Sequence, residues 1–184
     1  MNKSRPVYAP FQLDPSGANH LVVTNLSAPP DGLDICLNEI ELWVVHHISP
    51  GVLAPANGQI RFFRSVTELL AQLAHRLAHE KIGLRLYAIG AEAFIWDARN
   101  IASKAGLGQT EIFVHQSGPK QRRVYCTHCR TLIEDVAVTI VDCPVCESTL
   151  FVRDHFSRRL AAFMGVKVDA EVPGEIPPAE IFST

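Results

Sequence analysis

The stretch that decides the fold is Cys126-Thr-His-Cys129, followed thirteen residues later by a second pair of the same spacing, Cys143-Pro-Val-Cys146. In each pair a two-residue spacer turns both sulfurs toward one point, and two such turns supply the four ligands of a tetrahedral site. We therefore predict that Cys126, Cys129, Cys143 and Cys146 bind one metal ion and that the C-terminal third folds around it.

Zinc is the metal that this ligand set favours. Tetrahedral thiolate sites hold either zinc or iron. Rubredoxin-type iron sites usually place Gly after the second Cys of each pair, whereas this chain has Arg130 and Glu147 there. Four thiolates leave no open coordination position, so zinc would be structural. A redox iron or iron–sulfur centre stays open, as do disulfides or free thiols, although a cytosolic chain keeps its thiols reduced.

Length and charge limit the remaining classes of protein. A chain of 184 residues allows one domain, or one domain with a small module. A net charge of −2 argues against nucleic-acid binding, which normally needs a basic excess. The sequence shows neither a signal peptide nor an apolar run that could cross a membrane. We expect a cytoplasmic protein that binds neither nucleic acid nor membrane.

The first 117 residues are predicted to form an α/β domain with a small, largely parallel sheet flanked by helices. A capping box, Ser65-Val-Thr-Glu68, opens the first helix, and Gly106 closes a second helix that contains Phe94 and Ala98. The strand and helix order implies right-handed crossovers. The predicted strands are His20–Thr24, Glu41–His46, Gln59–Phe63, Gly83–Ile89 and Glu111–His115.

Residues 118–168 are predicted to form a zinc-ribbon-like module with four cysteines, and residues 169–184 an extended, Pro-rich tail. The linker between domain and module is assigned to residues 116–123. Alternation of Val136, Val138 and Ile140 predicts a short strand between the cysteine pairs. A final helix is expected to begin near Asp154, with Phe156, Leu160 and Phe163 on one face.

Five polar residues beside the metal module are the candidates for contact with a partner. Arginine is favoured in interfaces and in contacts with carboxylates, whereas exposed ion pairs by themselves contribute little to stability. The residues are Arg153, Asp154, His155, Arg158 and Arg159. Trp96 lies off the apolar face of the second helix, where it either anchors a partner or covers the sheet edge.

The rest of the chain shows no sequence motif for catalysis or nucleotide binding. Neither the dinucleotide-binding nor the phosphate-loop glycine pattern is present, and no nucleophile elbow occurs. His75 and His79 are four positions apart on the first helix, but they point away from its leucine face. We interpret them as surface histidines.

The cysteine pairs and the string Leu150-Phe-Val-Arg-Asp-His-Phe-Ser-Arg-Arg-Leu-Ala-Ala-Phe-Met-Gly-Val166 resemble the C-terminal region of the DmmA family. That family is named for a subunit of dimethylamine monooxygenase, a multi-subunit bacterial enzyme. The resemblance implies NADPH- and oxygen-dependent demethylation of dimethylamine to methylamine and formaldehyde. It also implies that haem, flavin and iron–sulfur centres lie on the other subunits, which would be the partners of this chain.

A second stretch, Leu84-Arg-Leu-Tyr-Ala-Ile-Gly-Ala-Glu-Ala-Phe94, resembles the end of a ferredoxin-reductase-type nicotinamide domain. That family usually has Cys-Gly-Pro where this chain has Ile89-Gly90-Ala91, and an acidic residue where it has His115. The resemblance therefore implies a degenerate domain that keeps the fold without the redox site.

Taken together, these patterns predict a non-catalytic structural and docking subunit of an oxidoreductase complex, with no catalytic or cofactor-binding residue beyond the four cysteines. One alternative is a redox subunit that relays electrons through iron bound by those cysteines. The second alternative is a zinc-ribbon nucleic-acid-binding protein, which the net charge disfavours.

Overall fold

The structure is a computed structural model that describes residues 4–26, 40–45 and 59–182. It divides into two compact units. One contains Tyr8–Gly118, and the other combines Met1–Val7 with Pro119–Thr184. The C-terminal unit therefore includes residues from both ends of the sequence.

The unit Tyr8–Gly118 contains a five-stranded sheet in which every pairing is parallel. Its strands lie in the order β3-β2-β1-β4-β5. Their bounds are Asn19–Thr24 (β1), Ile40–Val45 (β2), Gln59–Phe63 (β3), Leu84–Gly90 (β4) and Ile112–Gln116 (β5). The five predicted strands and the parallel α/β class are thereby confirmed, while His46 lies outside the described residues.

Two helices cover one face of this sheet and contact each other: α1 (Val66–Leu77) packs on β2 and β3, and α2 (Glu92–Lys104) packs on β4 and β5. A short 3-10 helix, Gln109–Glu111, precedes β5. Neither α-helix is long enough to span a membrane, and no other helix of the described residues is.

The start of α1 follows the predicted capping chemistry. Ser65 Oγ accepts a hydrogen bond from the Glu68 amide at 3.1 Å. The Glu68 carboxylate accepts from the amide of Arg64 at 2.9 Å, one residue earlier than the capping box requires. The apolar face of α1 then buries Leu69, Leu73 and Leu77, as their helical spacing predicts.

The opposite face of the parallel sheet has its own apolar cluster, against which Phe11 and Leu13 of the N-terminal segment pack. The Phe11 and Tyr87 rings meet edge to face, with centroids 5.7 Å apart. The cluster consists of Val22, Ile40, Leu42, Val44, Tyr87 and Ile89.

Trp96, for which the sequence left partner anchoring and covering of the sheet edge open, has a buried side chain. Its indole Nε1 donates to the hydroxyl of Tyr8 at 2.8 Å. Burial disfavours the alternative in which Trp96 anchors a partner and favours a role in internal packing.

The C-terminal unit contains a second five-stranded sheet, which is mixed. Its order is β7-β6-β10-β9-β8, with β6 and β10 parallel and the other pairs antiparallel. The strands are Arg122–Cys126 (β6), Leu132–Val136 (β7), Ile140–Asp142 (β8), Thr149–Ser157 (β9) and Ala162–Lys167 (β10).

The prediction of a helix that begins near Asp154 is wrong, because this part of the sequence forms strands β9 and β10. Phe156 and Phe163 pair across these antiparallel strands, with ring centroids 5.0 Å apart, while Leu160 lies in the connecting turn. A spacing of seven residues fits two helical turns, but it also fits two positions facing each other across a hairpin. The single strand predicted around Val138 is likewise replaced by β7 and β8.

The C-terminal tail returns to this sheet. Residues 175–180 lack regular structure, and Ile181 forms an antiparallel bridge with Val138. The amide of Phe182 donates to the Ala137 carbonyl at 3.0 Å, and the Phe182 ring is buried. The tail thus supplies one apolar side chain to the unit that holds the cysteines.

Candidate metal centre

The sulfur atoms of the four cysteines converge at one end of the mixed sheet. All four lie within 4.8 Å of one another. Cys126 and Cys146 are 3.8 Å apart at Sγ, and Cys129 and Cys143 are 3.5 Å apart. A tetrahedron with metal–sulfur bonds of about 2.3 Å has edges of about 3.8 Å. The four residues therefore fit a single tetrahedral ion.

Two loops of the same design present these sulfurs. In the first loop, which follows β6, the amide of Arg130 donates to the Cys126 carbonyl at 2.8 Å. In the second, the amide of Glu147 donates to the Cys143 carbonyl at 2.9 Å. The sequence spacing repeats because the backbone turn repeats.

The residue after each second cysteine adopts a left-handed backbone conformation, with φ of 68° at Arg130 and 58° at Glu147. For residues other than Gly this conformation costs roughly 1–2 kcal/mol. Glycine is therefore not required for the turn. Its absence does not by itself discriminate between zinc and iron, contrary to the reasoning from sequence.

A hydroxyl group lies beside the second sulfur of each pair. Thr131 Oγ1 is 3.3 Å from Cys129 Sγ, and Ser148 Oγ is 3.5 Å from Cys146 Sγ. A hydroxyl that donates to a thiolate stabilises the charged form. The side-chain and backbone hydrogen bonds of Ser148 lower the pKa of Cys146 to about 5, and those of Thr131 lower the pKa of Cys129.

The surroundings of Cys126 disfavour its thiolate form, in contrast to those of Cys129 and Cys146. Burial raises its pKa to about 11, and its side chain is inaccessible to solvent. Cys126, Cys143 and Leu150 form a buried cluster, against which Ile133 and Val141 pack. The cysteines are therefore both the ligand set and a large part of the local apolar core. A cation at their centre would favour the thiolate form of Cys126, which the apolar surroundings disfavour.

The structure separates the five candidate docking residues into two groups. Arg153, Asp154 and His155 lie on β9, and Arg158 and Arg159 lie in the exposed turn before β10. Asp154 accepts from Arg5 Nε at 2.8 Å and pairs with Arg122 at 3.1 Å. The neighbouring arginines hold the pKa of Asp154 below its usual value despite partial burial, so it stays anionic.

Arg122 is a functional candidate that the sequence analysis left in a linker. Its guanidinium carbon lies 4.2 Å from the ring centroid of Phe163 and 3.8 Å from that of Phe182. Such an arrangement gains cation–π attraction on both faces of the guanidinium. No local pattern could have revealed it, because Phe182 is sixty positions away in the sequence.

The carboxyl ends of β1 and β4 form the place where open parallel sheets usually bind nucleotides. Here Asn25 Oδ1 accepts from the Ala91 amide at 3.1 Å, and a Cβ on Gly90 would lie only 1.8 Å from that oxygen. Glu92, in the first turn of α2, accepts from the hydroxyl of Tyr8 at 2.6 Å. The chain therefore fills this helix N-terminus with its own polar groups.

Tyr8 remains a hydrogen-bond donor in this cluster. Burial, followed by the charge of Glu92, raises the pKa of Tyr8 well above its usual range. His115, at the end of β5, directs Nδ1 to the carbonyl oxygen of Ala9 at 3.1 Å. The predicted surface position of His75 and His79 is confirmed, since both are exposed.

Comparison with known proteins shows which family the chain matches. Residues 123–166 match the family model for the C-terminal domain of dimethylamine monooxygenase subunit DmmA-like proteins, and residues 47–112 match the model for the N-terminal domain. The chain is 33% identical over 170 residues to the heme-dependent oxidative N-demethylase delta subunit of Ectopseudomonas mendocina (strain ymp). That alignment covers 92% of this chain and 91% of the relative.

A solved structure with a similar chain trace is phthalate dioxygenase reductase, which is described as transferring electrons from pyridine nucleotides to a 2Fe-2S centre. The TM-score is 0.41 at 12% identity, over 69% of this chain and 46% of the reductase. The chain thus spans less than half of that protein, and a likeness at this level supports neither a shared site nor a shared activity.

The resemblance predicted from the cysteine pairs and the residues after them is confirmed by the family models and by the full-length relative. On these grounds the chain belongs to the DmmA-like family of dimethylamine monooxygenase subunits.

Proposed function

We propose that this chain is a non-catalytic structural and docking subunit of a cytoplasmic, multi-subunit dimethylamine monooxygenase. The main support is that the chain is 33% identical to a subunit of an oxidative N-demethylase over 92% of its length. The complex would use NADPH and oxygen to convert dimethylamine to methylamine and formaldehyde. Haem, flavin and iron–sulfur centres would belong to the partner subunits.

A non-catalytic role is supported by the metal-ligand chemistry of the described residues. Within them, only the four cysteines bring three or more metal-ligating side chains together. Four thiolates around one ion fill a tetrahedral coordination shell, so substrate or oxygen would have no open position. The centre would hold the two loops in place and leave the chemistry to other subunits.

Structural zinc is the metal that we propose for this centre. The four sulfurs are spaced for a single ion, whereas a cluster of two or more irons would distribute its thiolates over several metals and separate them further. A mononuclear iron site has the same ligand geometry, and it remains the alternative in which this subunit relays electrons. The nucleic-acid alternative gains no support from a net charge of −2.

Docking is proposed for the surface formed by Arg153, Asp154, His155, Arg158 and Arg159. Three of these residues lie on β9 and two lie in the turn that joins β9 to β10, in the sheet whose loops carry the cysteines. Because the sheet holds their backbone in place, we expect little conformational entropy to be lost when a partner binds. We propose residues 118–168 as the metal module and residues 169–184 as its tail. Residues 1–117, apart from the segment Met1–Val7 that belongs to the C-terminal unit, are proposed as a degenerate reductase-like domain.

The metal prediction is that the purified chain contains one zinc. Replacing Cys143 by Ser should lower the zinc content to a small fraction of one ion per chain. It should also unfold the C-terminal unit, because in such small units the free energy of metal binding stabilises the fold. Elemental analysis with amide hydrogen exchange of residues 122–167 measures both effects. A coloured protein with one iron and no zinc would instead support the electron-relay alternative.

Nicotinamide binding should be absent from the isolated chain. The Asn25 side chain already accepts the hydrogen bond of the Ala91 amide. The Glu92 carboxylate adds negative charge at the N-terminus of α2, where a bound phosphate would need positive charge. We therefore expect no NADPH oxidation and no calorimetric binding below about millimolar concentration. Micromolar binding in the calorimetric titration would contradict this prediction.

Assembly is the direct test of the proposed function. The chain should co-purify with the other subunits, and a complex lacking it should lose most dimethylamine turnover. Changing Arg158 and Arg159 together to Ala should weaken the association, because truncating an interfacial arginine leaves its partner charge unpaired. Zinc content serves as the control for folding. Full assembly and turnover without this chain would refute the proposed function.

A further inference from the structure

The C-terminal unit contains a groove of about 770 Å³ that the metal centre does not use. Its floor is apolar, its wall is formed by the C-terminal tail, and its rim is charged. From β9 come Phe151, Arg153 and His155 at alternate positions, and from β10 come Met164 and Val166. The tail contributes Pro177, Pro178, Glu180, Ile181 and Phe182.

Some charged side chains of the groove have partners within the described residues, and Arg153 has none. Asp154 is already bonded to Arg5 and Arg122, and Arg122 is held between two aromatic rings. Arg153, in contrast, is partly buried and makes no side-chain hydrogen bond or ion pair with any residue in the described ranges. Three arginines face two carboxylates in the groove, so it carries a positive excess.

An apolar floor with one uncommitted arginine selects a particular ligand chemistry. A guanidinium binds a carboxylate through two parallel hydrogen bonds, and the surrounding apolar side chains exclude the water that would weaken them. The groove is flanked by two strands and by a tail that keeps Ile181 exposed. This open form, lined by neighbouring strands and the tail, suits an extended peptide segment better than an enclosed small molecule.

We propose that this groove holds an extended acidic segment of a partner subunit, with one carboxylate bound by Arg153 and apolar side chains packed on Phe151, Met164 and Val166. The inference rests on the proposed function, since it requires a multi-subunit complex. It adds the recognition chemistry: one acidic residue flanked by apolar residues. The tail helps to form the binding wall, and Arg5 and Arg122 set its shape through Asp154.

Charge reversal tests the role of Arg153 in the assembled enzyme. Arg153→Glu should weaken binding of the chain to the remaining subunits by about tenfold or more, since a partly buried carboxylate would lose its partner and meet a like charge. Lys120→Glu is the matched control in the same unit, because Lys120 is exposed and outside the groove; it should change binding by less than about twofold. Arg153→Met removes the charge at similar volume, and zinc content verifies folding.

Photo-crosslinking identifies the occupant. Benzoylphenylalanine at position Ile181, which is exposed at the groove wall, should crosslink to a partner segment that contains Asp or Glu. The same probe at Lys120 should not reach that segment. Crosslinking to a second copy of this chain, or to a segment without an acidic residue, would overturn the inference.

The outcomes separate this inference from the proposed function. If the wild-type chain does not associate with the other subunits, the proposed function fails. If it associates and Arg153→Glu binds equally well, the docking function stands and the groove inference fails. An Arg153→Glu complex that assembles fully but turns over more slowly would indicate a small carboxylate ligand, and it would also overturn the proposed occupant.

Discussion

The mutual proximity of four cysteine sulfurs is the constraint on which the C-terminal unit depends. All four lie within 4.8 Å, and two of them are buried. Four negative thiolates at such distances would repel one another strongly without a cation, whereas four protonated thiols would not hold the loops in place. The surroundings differ between the cysteines: hydrogen bonds from Thr131 and Ser148 lower the pKa of Cys129 and of Cys146, whereas burial raises the pKa of Cys126. A cation at the centre would offset the unfavourable burial of the Cys126 thiolate.

The parallel sheet provides a common place for a ligand, and the chain fills that place with its own side chains. Parallel strands in the order β3-β2-β1-β4-β5 provide the usual crevice between β1 and β4. In this chain the Asn25 side chain accepts from the amide of Ala91 at the start of α2, and the Glu92 carboxylate in its first turn accepts from the hydroxyl of Tyr8. Function therefore follows from the residues at the strand ends and not from the strand order.

Local patterns predicted most of the parallel sheet, because each strand is a short apolar run between turn residues and α1 carries a leucine stripe after a serine cap. The cysteine spacing likewise predicted that the four sulfurs would come together at one point. The mixed sheet was harder to predict, because Phe156 and Phe163 fit a helical spacing until the turn at Ser157–Ala161 is known. The groove was beyond local reasoning, since it brings together Arg5, Arg122, Arg153 and Phe182 from four distant segments.

The pairing of Arg5 with Asp154 has a consequence for biosynthesis. The two residues are separated by 149 positions. A ribosome that adds roughly 5–20 residues each second makes Arg5 wait about 7–30 s before Asp154 is synthesised. The parallel-sheet unit lies between them in the sequence and is complete first. Closure of the C-terminal unit therefore follows synthesis of the parallel-sheet unit, and Arg5 lacks its native neighbour for as long as that synthesis takes.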